Sequence, residues 1–262
     1  MTLTDFIVEL FCRIDDAMTE VDKDPRSKLW PAEVVTIGVL YVLKGQSQSR
    51  FSRWLKANYK ELFPSLPERS RLFRLLRKYQ SWMHRFLDKP GLLHVCDSLG
   101  IELIFPRRQG RSKKQVGAKG ISNGRWIVGV KFCPMINLKG RVFDWDVEAG
   151  NIYDGDFQRM LREYPHEAKL VDSGFHRSKK RGGDCDNLVI CERGQRNYRM
   201  IIETVFSGMC EVFGMKKIRE RIWSGIESHL SMACAAWNLV TDMATQRFGG
   251  DRASLSTAWV PI

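Results

Sequence analysis

The chain has 262 residues, enough for one large domain or for a catalytic domain with a small appendage, and 44% of them are hydrophobic, so a sizeable core is available. Lys and Arg number 42 against 30 Asp and Glu, a formal net charge of +12 that points to an anionic partner, nucleic acid ahead of an anionic membrane surface. No apolar run reaches the length of a membrane span, and Asp5 and Glu9 interrupt the apolar residues near the N-terminus, so neither a membrane helix nor a secretory leader is expected; a cytoplasmic, nucleoid-associated protein is.

In chain order, the first expected element is an amphipathic helix with Thr4 as N-cap and Phe6, Ile7, Leu10, Phe11, Ile14 and Met18 on one face. Pro31-Ala32-Glu33 opens a second helix over 34–43 that is apolar nearly all round, and Gly45 ends it. A third helix carries Arg50, Phe51, Arg53, Trp54, Leu55 and Lys56 after a short polar turn, and a fourth is expected over 70–87, stopped by Lys89-Pro90-Gly91. Charge divides this region: residues 1–43 hold four basic and eight acidic side chains, residues 44–89 twelve and three. Helix, tight turn and basic helix is the outline of a helix-turn-helix, although any small helical domain contains such a pair. Residues 1–90 are therefore expected to be a helical region for DNA binding.

Beyond residue 91 the pattern changes to period two and short apolar runs. Strands are expected over 92–96, 125–135, 141–147 and 168–171, with a fifth over 188–191 and turns at Asn123-Gly124 and Lys139-Gly140. A short helix is expected over 156–164, and two long ones over 196–213 and 222–245 close a catalytic domain spanning 91–247, with 248–262 as a loose tail. Seven cysteines, scattered without a Cys-x-x-Cys pair, are expected to be reduced thiols, since zinc would need two close pairs and Cys185 with Cys191 makes one loose pair at best.

Three carboxylates stand out by context. Asp97 follows the apolar run Leu92-Leu93-His94-Val95-Cys96, and Asp172 follows Lys169-Leu170-Val171 before a Ser-Gly turn. An ionised carboxylate in such a place is costly without a cation, although an Asp that ends a strand and caps the next turn is also common. Glu203 lies at the margin of a stripe formed by Ile202, Val205, Phe206, Met209 and Phe213, with Arg199 one turn earlier on the same side. Acidic side chains that hold two divalent ions can activate an attacking oxygen and stabilise a leaving oxygen at a phosphodiester.

The segments Asp97, Asp172-Ser173-Gly174-Phe175, Arg199-x-x-x-Glu203 and Gly129-Val130-Lys131 resemble the catalytic domain of the DDE transposases of bacterial insertion sequences. Ile202-Glu203-Thr204-Val205-Phe206-Ser207 is the most specific of these pieces. The resemblance implies an α/β, ribonuclease-H-like mixed sheet flanked by helices behind the N-terminal helical region. In that family the first Asp lies on the first strand, the second just after the fourth, and the Glu on a later helix. It also implies two Mg²⁺ ions, with Mn²⁺ as a substitute, held by Asp97, Asp172 and Glu203. The chain departs from one subgroup, which has Tyr three residues before the Arg and Lys seven after the Glu; Arg196 and Cys210 stand there.

No acidic residue occurs from Leu103 to Phe143, a stretch with ten Lys and Arg. Within it, residues 106–120 read as a mobile loop between the first two strands that closes on DNA phosphate through Arg107, Arg108, Arg111, Lys113 and Lys114. A second basic group, Arg177, Lys179, Lys180 and Arg181, follows Asp172, with His176 beside it as a further phosphate or water contact, and Lys131 and Arg199 are assigned to phosphate. The expected partner is double-stranded DNA, both element ends and target, engaged by a homodimer. Rival readings are a ribonuclease-H-like nuclease without strand transfer and a transposase-derived DNA-binding protein that has lost its chemistry.

Overall fold

The computed structural model describes residues 1–122, 124–191 and 199–250. Helix α1 (Leu3–Ala17) is capped by Thr2 rather than Thr4: Asp5 N–H donates to Thr2 Oγ1 (3.1 Å) and Thr2 N–H to Asp5 Oδ2 (2.8 Å), and this reciprocal box sets the earlier start. Helix α2 (Pro31–Lys44) starts on its proline, with Glu33 accepting from Trp30 N–H, and ends at Gly45, whose φ of 57° an L side chain resists. After α3 (Gln48–Asn58), α4 (Arg69–Lys78) stops at Tyr79, and residues Gln80–Phe86 wind as a 3₁₀ helix instead of prolonging it as expected. The tighter winding turns Met83 and Phe86 into the core, with Tyr79 stacked on Trp82 (centroids 4.0 Å apart) at the change of pitch.

A seven-stranded sheet follows. Its strands are β1 (Leu93–Cys96), β2 (Leu99–Ile104), β3 (Ala118–Ser122), β4 (Arg125–Ile136), β5 (Val142–Ala149), β6 (Ala168–Val171) and β7 (Leu188–Ile190). Strands β2 and β3 were not expected. Strand β3 takes the end of the stretch read as a loop, so the basic segment joins β2 to β3 rather than the first expected strand to the second. Both β1 and β2 pair antiparallel with β4, making one interrupted line of strand, broken at Asp97-Ser98. The line β5-β4-β1-β6-β7 is antiparallel up to β1 and parallel beyond it, so the sheet is mixed. Gly129 is required in β4: a Cβ there would run into the Ile101 carbonyl of β2.

Period-two alternation sorts the sheet's side chains onto two faces. Val95, Ile101, Val130, Phe132 and Ile136 enter a large core shared with α1 to α4, α6 (Met200–Val212) and α7 (Trp223–Phe248). Cys96, Cys133 and Met135 enter a smaller core under the short helix α5 (Gln158–Leu161), which replaces the longer one expected over 156–164. The N-terminal helices and the sheet thus share one core. Helix α7 ties them: Asn238 Nδ2 donates to the carbonyls of Phe86 and Val142, and Trp237 Nε1 to that of Gly140.

The tail expected from residue 248 starts slightly later, since α7 runs to Phe248, and its remainder at 251–262, the expected start of α6 at 196–198 and Asn123 lie outside the described residues. All seven cysteines are free thiols, five of them buried. Among the described residues no helix is long and apolar enough to cross a membrane.

Candidate active site at the strand ends

Strands β1 and β6 are parallel neighbours with Val95 opposite Leu170, so the register carried two residues on sets Asp97 beside Asp172 where both strands end. Each Asp accepts from the next backbone N–H, Ser98 and Ser173, at 2.7 Å, which turns the chain off the strand and aims the remaining carboxylate oxygen into a cleft. The Arg199 guanidinium, at the entry to α6, takes both: its Nη2 lies 3.3 Å from Asp97 Oδ2 and 3.2 Å from Asp172 Oδ2. Glu203, one turn on, is exposed and lines the same cleft of about 890 Å³, next to Phe206 and Ser207.

The electrostatics at Asp97 oppose one another. Burial pushes its carboxyl pKa up, and the Asp172 charge adds to this, while Arg199 and the Ser98 N–H pull it down; the net direction is upward. Arg199 is held cationic more firmly than usual, because Asp97 and Asp172 outweigh the effect of its own burial. Among the described residues no three His, Cys, Asp or Glu side chains stand in an arrangement ready to hold a metal ion. Asp97 and Asp172 are bridged by one arginine, and among the described residues Asp154, Glu203 and Glu211 line the same cleft.

Asp154 is a cleft residue that the sequence pattern does not reveal. It follows β5, and its Oδ1 accepts from Ser98 Oγ (2.7 Å) and from Lys131 Nζ (2.8 Å), while Lys131 also donates to the Ile152 carbonyl. Lys131, expected to face phosphate, is thus pinned at the cleft wall beside the Asp97 turn. Arg125 and Lys216 are further cations of the cleft among the described residues. Nothing local marks Asp154, which opens a short 3₁₀ turn beside a second acid, Asp156; only the packing of β4 against the β5 end brings it to Ser98.

The chain matches no family model, no curated protein and no solved structure. Its chemistry is read from the cleft.

The two basic groups lie differently. Arg107, Arg108, Arg111, Lys113 and Lys114 are on the segment between β2 and β3, outside the lining of the cleft. Of the ten cations in the acid-free stretch, Lys131 is paired with Asp154, and Arg141 is buried against Asp242 of α7 (3.1 Å). Those two are compensated from elsewhere in the chain, which the local composition hides. His176 and Arg177 are drawn to acids: His176 Nδ1 is 2.7 Å from Asp184 Oδ2, Arg177 N–H donates to Asp184 Oδ1, and the Arg177 guanidinium is 3.7 Å from Asp156. Lys179 and Lys180 sit exposed on the following 3₁₀ turn.

Proposed function

We propose that this chain is an insertion-sequence transposase that cleaves the ends of its element and joins the freed 3′ hydroxyls to target DNA, acting as a homodimer on DNA. The observation that carries this reading is the meeting of Asp97 and Asp172, from two parallel strand ends, on one Arg199 guanidinium in a cleft that Glu203 also lines. The mixed sheet supports the ribonuclease-H-like fold that the sequence resemblance implies: β1 with β2 acts as one central strand, antiparallel to β4 and parallel to β6. Counted this way, and leaving aside the β3 hairpin, Asp172 follows the fourth strand.

The donors fit Mg²⁺, a hard cation that takes one or two carboxylates and keeps its other positions for water and phosphate oxygen. A buried acid such as Asp97, whose ionised form burial disfavours, is stabilised by a cation close to it. Asp97, Asp172 and Glu203 would hold the ions, Mg²⁺ or Mn²⁺, which supply activation of an attacking oxygen and stabilisation of a leaving one. The chain's own residues do the rest. Arg199 bridges Asp97 and Asp172 and offsets part of their charge in the resting cleft, and its guanidinium is within reach of a phosphodiester lying across them. Lys131, fixed by Asp154, presents a cation at the cleft wall.

Cleavage places a water oxygen on phosphorus, breaks the bond to the element's 3′ oxygen and releases that oxygen as a hydroxyl. Joining repeats the displacement, with the hydroxyl as attacking group and the target's 3′ oxygen leaving. A strand-transfer assay on pre-cut ends tests the reading: activity should require Mg²⁺ or Mn²⁺ and fall to background in Asp97→Asn, Asp172→Asn and Glu203→Gln, while DNA binding survives. Wild-type joining by any one of these variants removes that residue from the ligand set, and cleavage without joining assigns the chain to the nucleases.

A further inference from the structure

A second cleft, of about 500 Å³, opens where the start of α3 and one side of α4 face the segment between α6 and α7. Arg69, Arg74 and Arg77 of α4 line it together with Arg219, which arrives from the far end of the sequence. Its one acid, Glu220, is buried and already engaged, accepting from Tyr41 Oη (2.9 Å) and Gln48 Nε2 (3.2 Å). Among the described residues no carboxylate forms an ion pair with any of the four arginines. Four guanidinium groups share the notch with the single carboxylate of Glu220, an excess of positive charge, and α4 supplies three of them although its buried face needs only Leu72, Phe73 and Leu76.

This notch is joined to the carboxylate cleft by a fixed strap. Glu102 N–H donates to the Lys216 carbonyl (3.0 Å), Ile218 N–H donates to the Glu102 carbonyl (3.1 Å), and Lys217 pairs with the Glu102 side chain, so the strap is bonded to β2 at three successive residues. Lys216 lines the carboxylate cleft and Arg219 the notch, three residues apart on that strap, a path of at most roughly 10 Å between Cα atoms.

We propose that the notch is a second phosphate-binding site, which holds successive backbone phosphates of the same DNA duplex whose scissile strand lies in the carboxylate cleft. The proposal rests on the DNA-processing reading of that cleft. A small phosphorylated ligand would compensate one or two guanidinium groups, whereas a duplex backbone supplies a row of charges that runs on from Lys216 to Arg219 and the face of α4. Fork-shaped guanidinium donors suit phosphate oxygens, and such binding carries no sequence information of its own.

The test replaces Arg69, Arg74, Arg77 and Arg219 by Gln and measures affinity for a duplex of arbitrary sequence by fluorescence anisotropy across a salt series. The slope of log affinity against log salt should become shallower by roughly 2–4, about 0.9 for each phosphate that is no longer neutralised, and a thermal melt should be unchanged. If the fourfold variant does not fold, Arg74→Gln with Arg219→Gln should lower the slope by roughly 2 on the same scale. An unchanged slope in a folded variant overturns the notch while leaving the reading of the carboxylate cleft intact. A melt shift of the wild type by pyrophosphate, absent from the variant while the duplex slope is unchanged, assigns the notch to a small phosphorylated ligand and overturns the duplex proposal. Absence of salt-dependent duplex binding by the wild-type chain overturns the function proposed for the cleft, and this proposal with it.

Discussion

Around Asp97 a single oxygen network sets where each cation can be. Asp154 Oδ1 receives both Ser98 Oγ and Lys131 Nζ, so the turn carrying Asp97 and the cation facing it share one anchor. Asp154→Asn keeps the size and one acceptor oxygen but loses the charge that holds Lys131. The single-turnover joining rate of this variant should fall by about 10- to 100-fold, with little change in duplex affinity, because the loss is of orientation rather than binding. Equal rates for the variant and the wild type would reduce Asp154 to a loop residue. Arg199, assigned from sequence to phosphate, has a second duty that spacing on a helix does not reveal: it bridges two acids that reach it from separate strands.

At the scale of elements, β4 is pressed closely by its neighbours. Gly129→Ala puts a methyl group into the Ile101 carbonyl, a backbone atom that cannot swing aside, so β2 must separate from β4. A loss of about 1–3 kcal/mol in urea unfolding is expected, with activity reduced as well, because Lys131 two residues on and the Asp97 turn both depend on that pairing. Helix α7 carries a different cost. His229 is 6% exposed, neither ring nitrogen has a hydrogen-bond partner among the described residues, and its ring meets Tyr41 edge-on at 5.6 Å. Burial lowers its pKa from 6.5 to about 4. The folded chain keeps this ring neutral while the unfolded chain protonates it below pH 6.5, so its contribution to stability is present above that value and is lost as pH falls towards 4. The loss should be on the order of 3 kcal/mol by pH 4. His229→Leu should remove this part of the acid limb in denaturant titrations at pH 7, 5 and 4 and leave the part owed to carboxylates; an identical limb in both proteins would show that His229 does not titrate this way.

On the scale of the whole molecule, the helical region is built into the sheet's core rather than tethered to it. Phe86 and Val142 give their carbonyls to the same Asn238 amide, and Asp88 N–H donates to the Val142 carbonyl across the boundary expected at residue 90. Expressed separately, residues 1–90 and 91–262 should each expose the apolar face that the other covers, and should show broad, non-cooperative melts or aggregate, whereas the whole chain unfolds in one transition. A sharp melt by residues 91–262 alone would contradict this. The shared core also fixes how the basic face of α4 is presented relative to the strand ends, which is why a strap of a few residues links the two clefts.

Local pattern in the amino-acid sequence determines much of this architecture. Apolar periodicity locates α1 to α3, α6, α7 and the long strand β4, since burying one face of a regular element demands a regular spacing of apolar residues. The run of apolar residues before Asp97 and before Asp172 likewise marks two strand ends, because a carboxylate is tolerated only where such a run leaves the core. Whatever is decided between distant residues has no such local signal. Strand β2 alternates Leu99, Ile101 and Leu103 with Gly100 and Glu102, a period-two signal that is legible in the sequence but missed beside the Asp97-Ser98 break, and only its place in the sheet is set by pairing with β4. Helix α4 stops at Tyr79, and Met83 and Phe86 are buried on the 3₁₀ winding that follows, a change of pitch that apolar spacing alone does not announce. Asp97 meets Asp172 through the register of two parallel strands, Lys131 meets Asp154, and Arg219 joins three arginines of α4. Local sequence sets where a side chain points along its own element; which charges end up facing one another is set by the packing of elements, whose energy is spread over the whole core.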